Sequence, residues 1–247
     1  MSISVITPSI HPERLDILDR SLKRQTFKDF EWIVVGPEKV NVGLGTYLKE
    51  PPMDKGDFYC LNKAWNKAFA HAKGDLVVSY QDNIWISPDT LERLYFHFQE
   101  RPNGLVGTIG HQYSELDERG IPANLVWRDP RARTDLGAFY ETQPSEIEFS
   151  FCSVPKQAIY DAGGLDEIYD IGPAVGEKEM CWRMDKLGYK FYLDQSIEYK
   201  ALQHPRQTKD WDEKYANVIS PLFSKHMLEL SHGTRPLNVG FIEKYLQ

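Results

Sequence analysis

Apolar and polar positions in the first hundred residues follow two alternating rhythms. Residues 2–7 and 31–35 are short runs rich in β-branched side chains, closed by Pro8 and by Gly36-Pro37 respectively. Such runs read as strands buried on both faces. Between them Leu15, Leu18, Leu22 and Phe27 recur at helical spacing, while Arg14, Asp16, Asp19, Lys23 and Arg24 fill the other side. A second helix is expected over residues 60–72, with Ala64, Ala68 and Ala72 on one stripe and Gly74 as its stop. A third strand follows at 76–80. Ser87-Pro88-Asp89-Thr90 then opens a helix through Phe98, with Ser87 as N-cap and Pro88 in the first turn. Strands alternating with helices predict an open α/β sheet with right-handed crossovers.

Beyond Asn103 the rhythm weakens. Residues 105–109, 149–154 and 189–193 read as strands, and 157–162 and 177–187 as helices. Residues 112–133 are polar and broken by Gly120-Ile121-Pro122 and Asp129-Pro130, the mark of a surface excursion. A last helix is expected over 211–228. With no internal repeat and no linker, the expected organisation is one domain over 1–205, in halves 1–100 and 101–205. A helical extension, 206–247, packs on the same domain.

Composition narrows the class. The 247 residues are 41% hydrophobic and 26% charged, with a mean hydropathy of −0.49, an ordinary globular balance. No apolar stretch approaches the roughly 18–20 residues that cross a bilayer. The first residues carry no basic leader region, so the expectation is a cytoplasmic protein. The net charge of −7 and pI near 5.5 have the wrong sign for a nucleic-acid coat protein. Cys60, Cys152 and Cys181 are odd in number and lack any CxxC pair, so they read as buried reduced thiols.

Four stretches carry more than fold information. The first is Ser4-Val5-Ile6-Thr7-Pro8 with Arg14 downstream, followed by Gln25-Thr26-Phe27 and Phe30 to Val35. The second is Asn66-Lys67-Ala68 running to Lys73-Gly74-Asp75, and the third is Tyr80-Gln81-Asp82-Asn83. The fourth joins Gly163-Gly164-Leu165-Asp166, Gly176-Glu177-Lys178-Glu179 with Arg183, and His204. In order and spacing these resemble the nucleotide-sugar glycosyltransferases of family 2, over roughly residues 2–100 and 150–206. The resemblance implies the GT-A fold, a Rossmann-like, open, mostly parallel sheet flanked by helices. It also implies a metal-assisted transfer from a nucleotide-sugar donor, UDP-linked, to an acceptor hydroxyl.

The resemblance assigns roles residue by residue. Thr7, Pro8 and Ser9 end the first strand, where open α/β sheets bind ligands and relatives grip base and ribose. Gly36 and Glu38 stand where relatives have an aspartate. Asn66 matches the asparagine of a triplet whose arginine position here holds Trp65, with Lys63 or Arg14 as substitutes. Gln81 and Asp82 occupy the D-x-D segment, but the first aspartate position is Tyr80. Asp82 and His204 are then the ligands of Mn²⁺ or Mg²⁺, which would neutralise the leaving diphosphate. Glu177 is the expected base of an inverting reaction. Glu179 is its acidic companion, and Arg183 is a partner of either carboxylate or of the diphosphate. Gly163, Gly164, Asp166 and Trp127 are expected to meet the sugar or the acceptor. Plainer roles stay open: a turn aspartate at 82, helix-dipole carboxylates at 177 and 179, and a tight turn at 163–164.

The expected acceptor is a glycan, with an anionic or nucleic-acid acceptor at the Arg128, Arg131 and Arg133 cluster as the minority reading. The rival functions are a non-catalytic sugar-nucleotide or glycan binder, and a nucleotidyltransferase or retaining transferase on the same scaffold.

Overall fold

The computed structural model describes residues 2–172, 175–203 and 211–246. The first strands are β1 (Ile3–Pro8), β2 (Phe30–Gly36), β3 (Thr46–Lys49), β4 (Leu76–Tyr80) and β5 (Ile84–Ile86). They are followed by β6 (Gly104–Leu116), β7 (Pro122–Trp127), β8 (Phe139–Glu141), β9 (Phe151–Pro155) and β10 (Lys190–Leu202). Together they form a single sheet in the order β3-β2-β1-β4-β9-β6-β10-β5, with β7 paired to β6 and β8 to β10. The β3-β2-β1-β4 half is parallel. β9 then enters antiparallel to both β4 and β6, and β6 and β10 run parallel again.

Alternation along β1 divides the core into two layers. Ile3 and Val5 face Leu15, Leu18 and Leu22 of α1 (Leu15–Lys23) and Leu91 and Leu94 of α3 (Thr90–Glu100). Ile6 faces the opposite cluster, built on α2 (Leu61–His71), α4 (Lys156–Asp161) and α5 (Gly176–Lys186). Burial of these residues, each nearly removed from water, is the main stabilising term of such a three-layer α/β fold.

The tail is also helical. α6 (Trp211–Lys214), a π-helical turn (Tyr215–Ile219) and α7 (Ser220–Ser231) run on from one another. The chain then returns across the α4–α5 connection. Val239 donates to the Ala162 carbonyl at 3.2 Å and Phe241 to that of Gly163 at 2.9 Å, while Ile242 is buried in the α2-side core.

Three elements differ from the expectation, each for a physical reason. The third long helix starts at Thr90, because residues 84–86 pair with β10 and the Ser87 and Pro88 carbonyls bind Gln25 Nε2 and the Thr26 amide. Residues 112–127 are the outer part of β6 and its hairpin partner β7. Their outer residues are exposed, so no one-sided apolar period marks them as strands. Gly74 lies past the end of α2, which stops at His71. There a Cβ would stand 2.6 Å from the Ile3 carbonyl carbon and the Ser4 amide, so glycine is required by close approach to β1.

The start of α2 is held from outside. Cys60, its N-cap, gives no side-chain capping bond, its thiol donating instead to the Pro51 carbonyl at 3.0 Å. Asp170 instead accepts from the Asn62 amide at 2.8 Å, Asn62 Nδ2 at 2.9 Å and the Lys63 amide at 3.1 Å. Burial raises the Asp170 pKa to about 6 even against these donors. Asp170→Ala should cost about 1–3 kcal/mol of stability, the penalty for buried donors left unpaired. Urea unfolding at neutral pH measures it, and a loss near zero would show that water replaces the carboxylate.

Candidate functional site

The C-terminal ends of β1, β2 and β4 converge on one side of the sheet. Between the first two lies a pocket of about 280 Å³ lined by Ser9, Pro12, Val34, Gly36, Glu38 and Tyr47. Its closeness depends on Gly36, whose Cβ would stand 2.6 Å from the Ser9 carbonyl oxygen. Tyr47 closes the far wall by donating its hydroxyl to the Gly36 carbonyl at 2.6 Å. Pro8 and Ser9 form the partly exposed rim. Thr7, expected in the pocket, is fully buried beneath it and accepts from Trp32 Nε1 at 3.0 Å.

Ser9 links this pocket to Asp82. Its hydroxyl accepts from the His11 amide at 3.0 Å and donates to Asp82 Oδ2 at 2.7 Å, across the ends of β1 and β4. The Asp82 turn is seated on the entry to β9, where the Gln81 amide donates to the Ser150 carbonyl at 3.0 Å. Tyr80, at the position of the missing first aspartate, is fully buried and donates its hydroxyl to the Ile84 carbonyl. Arg14 begins the α1 region nearby, and its Nη1 is buried without a protein hydrogen-bond partner among the described residues. His204 lies outside the described residues.

Beyond Asp82 a second cleft, about 540 Å³, opens between the ends of β4, β6, β7 and β10. Gln81, Gln112, Gln203, Trp127, Glu148 and Tyr199 contribute to its lining. Trp127 projects from β7 at 44% exposure. Tyr199 lies across Gly110, where any Cβ would collide with its ring.

Glu177 is in the first turn of α5 and still reaches solvent. Desolvation raises its pKa above the ordinary glutamate value, and the nearby charge of Glu148 adds to the shift. A carboxylate held above its ordinary pKa is a stronger base than a free one.

Several expected site residues have structural positions instead. Glu179 and Arg183 are both fully buried, with Arg183 Nε 2.9 Å from Glu179 Oε2. The Arg183 guanidinium also donates to the Ala162, Leu237 and Gly164 carbonyls. It has no face left for a diphosphate. Arg235 from the tail bridges Glu179 Oε1 at 2.6 Å and Asp166 Oδ2 at 2.5 Å, so Asp166 is an ion-pair partner and the cap of the following turn, not a sugar contact.

Gly163 and Gly164 have φ of +70° and +85° and meet the tail and Asn66, leaving no room for a ligand. Asn66 is wholly buried. Its amide exchanges hydrogen bonds with the Leu165 backbone and donates to Glu167. Trp65 packs in the core, and Lys63 is bound by Asp54 and Asp57, so neither substitutes for a phosphate-binding arginine. Arg131 is held by Asp129 and the Glu146 carbonyl, and Arg133 pairs with Asp135, which dissolves the basic cluster. The three cysteines are free and buried, and burial pushes the Cys60 and Cys152 thiols up to about 12.

The residues missed in the sequence are Glu148, Gln112, Gln203 and Tyr199. All enter the cleft through the antiparallel insertion of β9 and the pairing of β6 with β10, which no local motif announces.

The geometry has counterparts. Residues 60–163 match the family model described as Glycosyl transferase family 2. The whole chain superposes on S. aureus TarS 1–349 in complex with UDP, with a TM-score of 0.61, 15% identity and 70% of that chain covered. The complex of the same protein with UDP-GlcNAc gives 0.62, again at 15% identity and 70% of that chain. The fold is the GT-A fold. No curated protein matches the chain in sequence. Within this GT-A domain the matched segment, residues 60–163, runs from α2 through the Asp82 turn to the Gly163 turn.

The buried charges around α5 give a clear expectation. Glu179→Gln or Arg183→Ala should cost about 3–5 kcal/mol, because each leaves an uncompensated buried charge or donor. Denaturant unfolding measures this, and a loss below about 1 kcal/mol would show the network to be solvated.

Proposed function

We propose that this GT-A domain transfers a sugar from a UDP-linked donor to a glycan hydroxyl with inversion, assisted by Mn²⁺ or Mg²⁺. The observation that carries the reading is the Ser9–Asp82 hydrogen bond, which joins the β1–β2 pocket to the cleft near Glu148. A nucleoside in the first pocket would direct its diphosphate past Ser9 towards Asp82 and its sugar into the second. The TarS structures in complex with UDP and with UDP-GlcNAc support a uridine donor.

Each residue then has a task. The Ser9 and Gly36 backbones shape the base and ribose site, with Glu38 at its rim. Asp82, fixed in rotamer by Ser9, is the carboxylate for the cation. Among the described residues no three His, Cys, Asp or Glu side chains are grouped to hold a metal. One carboxylate fits a cation bound chiefly through the donor's phosphate oxygens, a common arrangement for Mg²⁺. When bound, the cation supplies charge neutralisation for the departing diphosphate. Glu177 accepts the proton of the attacking hydroxyl, opposite the leaving group. The buried Tyr80 in place of an acidic residue favours one rival, a non-catalytic sugar-nucleotide binder on the same fold.

Calorimetry with UDP, GDP, CDP and TDP, with and without Mn²⁺, separates these possibilities. UDP should bind selectively and more tightly with Mn²⁺, Mn²⁺ alone should bind weakly, and Asp82→Ala should abolish the metal-dependent part. Failure of every nucleotide to bind would remove the donor site.

Glu177→Gln should preserve UDP binding and reduce transfer by about 10²–10⁴-fold, the usual contribution of a general base. Since the Glu177 pKa is raised, its ionised form, and with it activity, should be lost as pH falls through a midpoint above the ordinary glutamate value. A pH–rate profile limited by a group at the ordinary glutamate value would exclude Glu177. A binder would show nucleotide affinity and no turnover in either protein.

A further inference from the structure

The cleft beyond Asp82 has a carboxylate that the transfer chemistry above does not use. Glu148 lies just before β9, and because β9 runs antiparallel to β4 its approach is brought beside the Gln81–Asp82 turn. It lines the cleft with a side chain 42% exposed. Arg131 Nη2 approaches Glu148 Oε2 at 3.4 Å, but Arg131 is already bound to Asp129 by Nε at 3.0 Å and to the Glu146 carbonyl by Nη1 at 2.8 Å. Asp129, 3% exposed, takes the closer contacts with that cation, and Glu148, paired to it only at 3.4 Å through Oε2, keeps acceptor capacity toward the cleft.

The rest of the lining has a consistent character. Gln81, Gln112 and Gln203, whose carboxamides can both donate and accept, are among the lining residues, and Trp127 is exposed beside them. Among the described residues no lysine or arginine side chain lines the cleft. Carboxamides and a carboxylate hydrogen-bond hydroxyl groups, and an indole face covers the apolar C–H side of a pyranose. A phosphate entering the same space would meet Glu148, with Glu177 close behind, at like charge.

The geometry points to Glu148 as an acceptor-binding carboxylate that selects an uncharged, hydroxyl-rich saccharide over a phosphate-bearing one. The inference rests on the transferase reading above for the term acceptor, but the binding it describes is measurable by itself. Glu148 holds the saccharide by accepting from its hydroxyls, Trp127 stacks on the ring, and Arg131 with Asp129 positions the carboxylate.

The test uses the full chain saturated with UDP and Mn²⁺. Methyl β-glucoside, methyl β-N-acetylglucosaminide, cellobiose and glucose 6-phosphate are titrated in turn, read by tryptophan fluorescence and saturation-transfer NMR. At least one neutral saccharide should bind, and glucose 6-phosphate at least about tenfold more weakly. Glu148→Gln should weaken the neutral ligand by about ten- to a hundredfold, the range for a hydrogen bond to a charged group, with UDP affinity and thermal midpoint unchanged. Trp127→Ala, at an exposed position, should show the same selective loss.

Equal binding of the neutral ligand by Glu148→Gln, equal or tighter binding of glucose 6-phosphate, or no saccharide binding at all overturns the inference. A protein that binds no UDP, yet loses saccharide binding in Glu148→Gln, removes the transferase reading and leaves the saccharide site standing.

Discussion

The antiparallel entry of β9 between β4 and β6 is the constraint on which the site depends. In a wholly parallel sheet the residues preceding β9 would lie at the opposite edge from the Asp82 turn. With β9 reversed, Tyr80 pairs with Phe151, the Gln81 amide bonds to Ser150, and residues 148–150 become the floor beside Asp82. The same reversal puts Ser153 and Cys152 against Val106 and Gly107, so β6 and its hairpin partner β7 rise next to the cleft and carry Trp127 to its lip. One change of strand direction thus joins the β1–β2 pocket, made by parallel strands, to a second cleft of different chemistry.

α5 divides two kinds of work between carboxylates two residues apart. Two residues on a helix are separated by about 200°, so Glu177 and Glu179 project to opposite sides. Glu179 points inward and is satisfied by Arg183 and Arg235, with Asp166 completing the alternation of charge. Glu177 is left partly exposed, its pKa raised by burial and by Glu148 against the lowering field of Lys178. Because Arg235 belongs to the tail, the ion-pair cluster also fastens residues beyond α7 to the helix that presents Glu177. Rigidity of the tail and placement of the candidate base are therefore mechanically connected.

Legibility in the sequence followed burial. β1, β2, β4, α1 and α2 were readable because their apolar residues repeat with the period of a fully covered strand or a two-faced helix, and the structure covers them in that way. β7 was not, since its side chains from Asn124 onward face water or are only partly covered and leave no period to read. Motif position at strand ends points to Ser9, Gly36 and Asp82, which the structure brings together at one end of the sheet. The same logic misplaced Asn66, Arg183, Asp166 and the 163–164 glycines. Polar residues in ordered patterns serve buried hydrogen bonding as readily as ligand contact, and only their partners in the fold tell the two apart. Glu148 could not be found locally, because its importance comes from the direction of β9.

Tyr80 stands where the resemblance expects an acid, and the reason lies in packing. The residue closes β4 on the α1–α3 side, with zero exposure and its ring 5.4 Å from that of Phe151 in an edge-on contact. An aspartate there would place a carboxylate inside an apolar cluster and leave the Ile84 carbonyl without its donor. Burying an unpaired charge costs several kcal/mol, so this position cannot simply regain an acid without rebuilding the layer beneath it. Asp82, on the solvent side of the turn and fixed by Ser9, carries no such cost. On the reading proposed above, a single carboxylate would leave the donor's own phosphates as the larger part of a cation's coordination. Cation and donor would therefore bind as one unit.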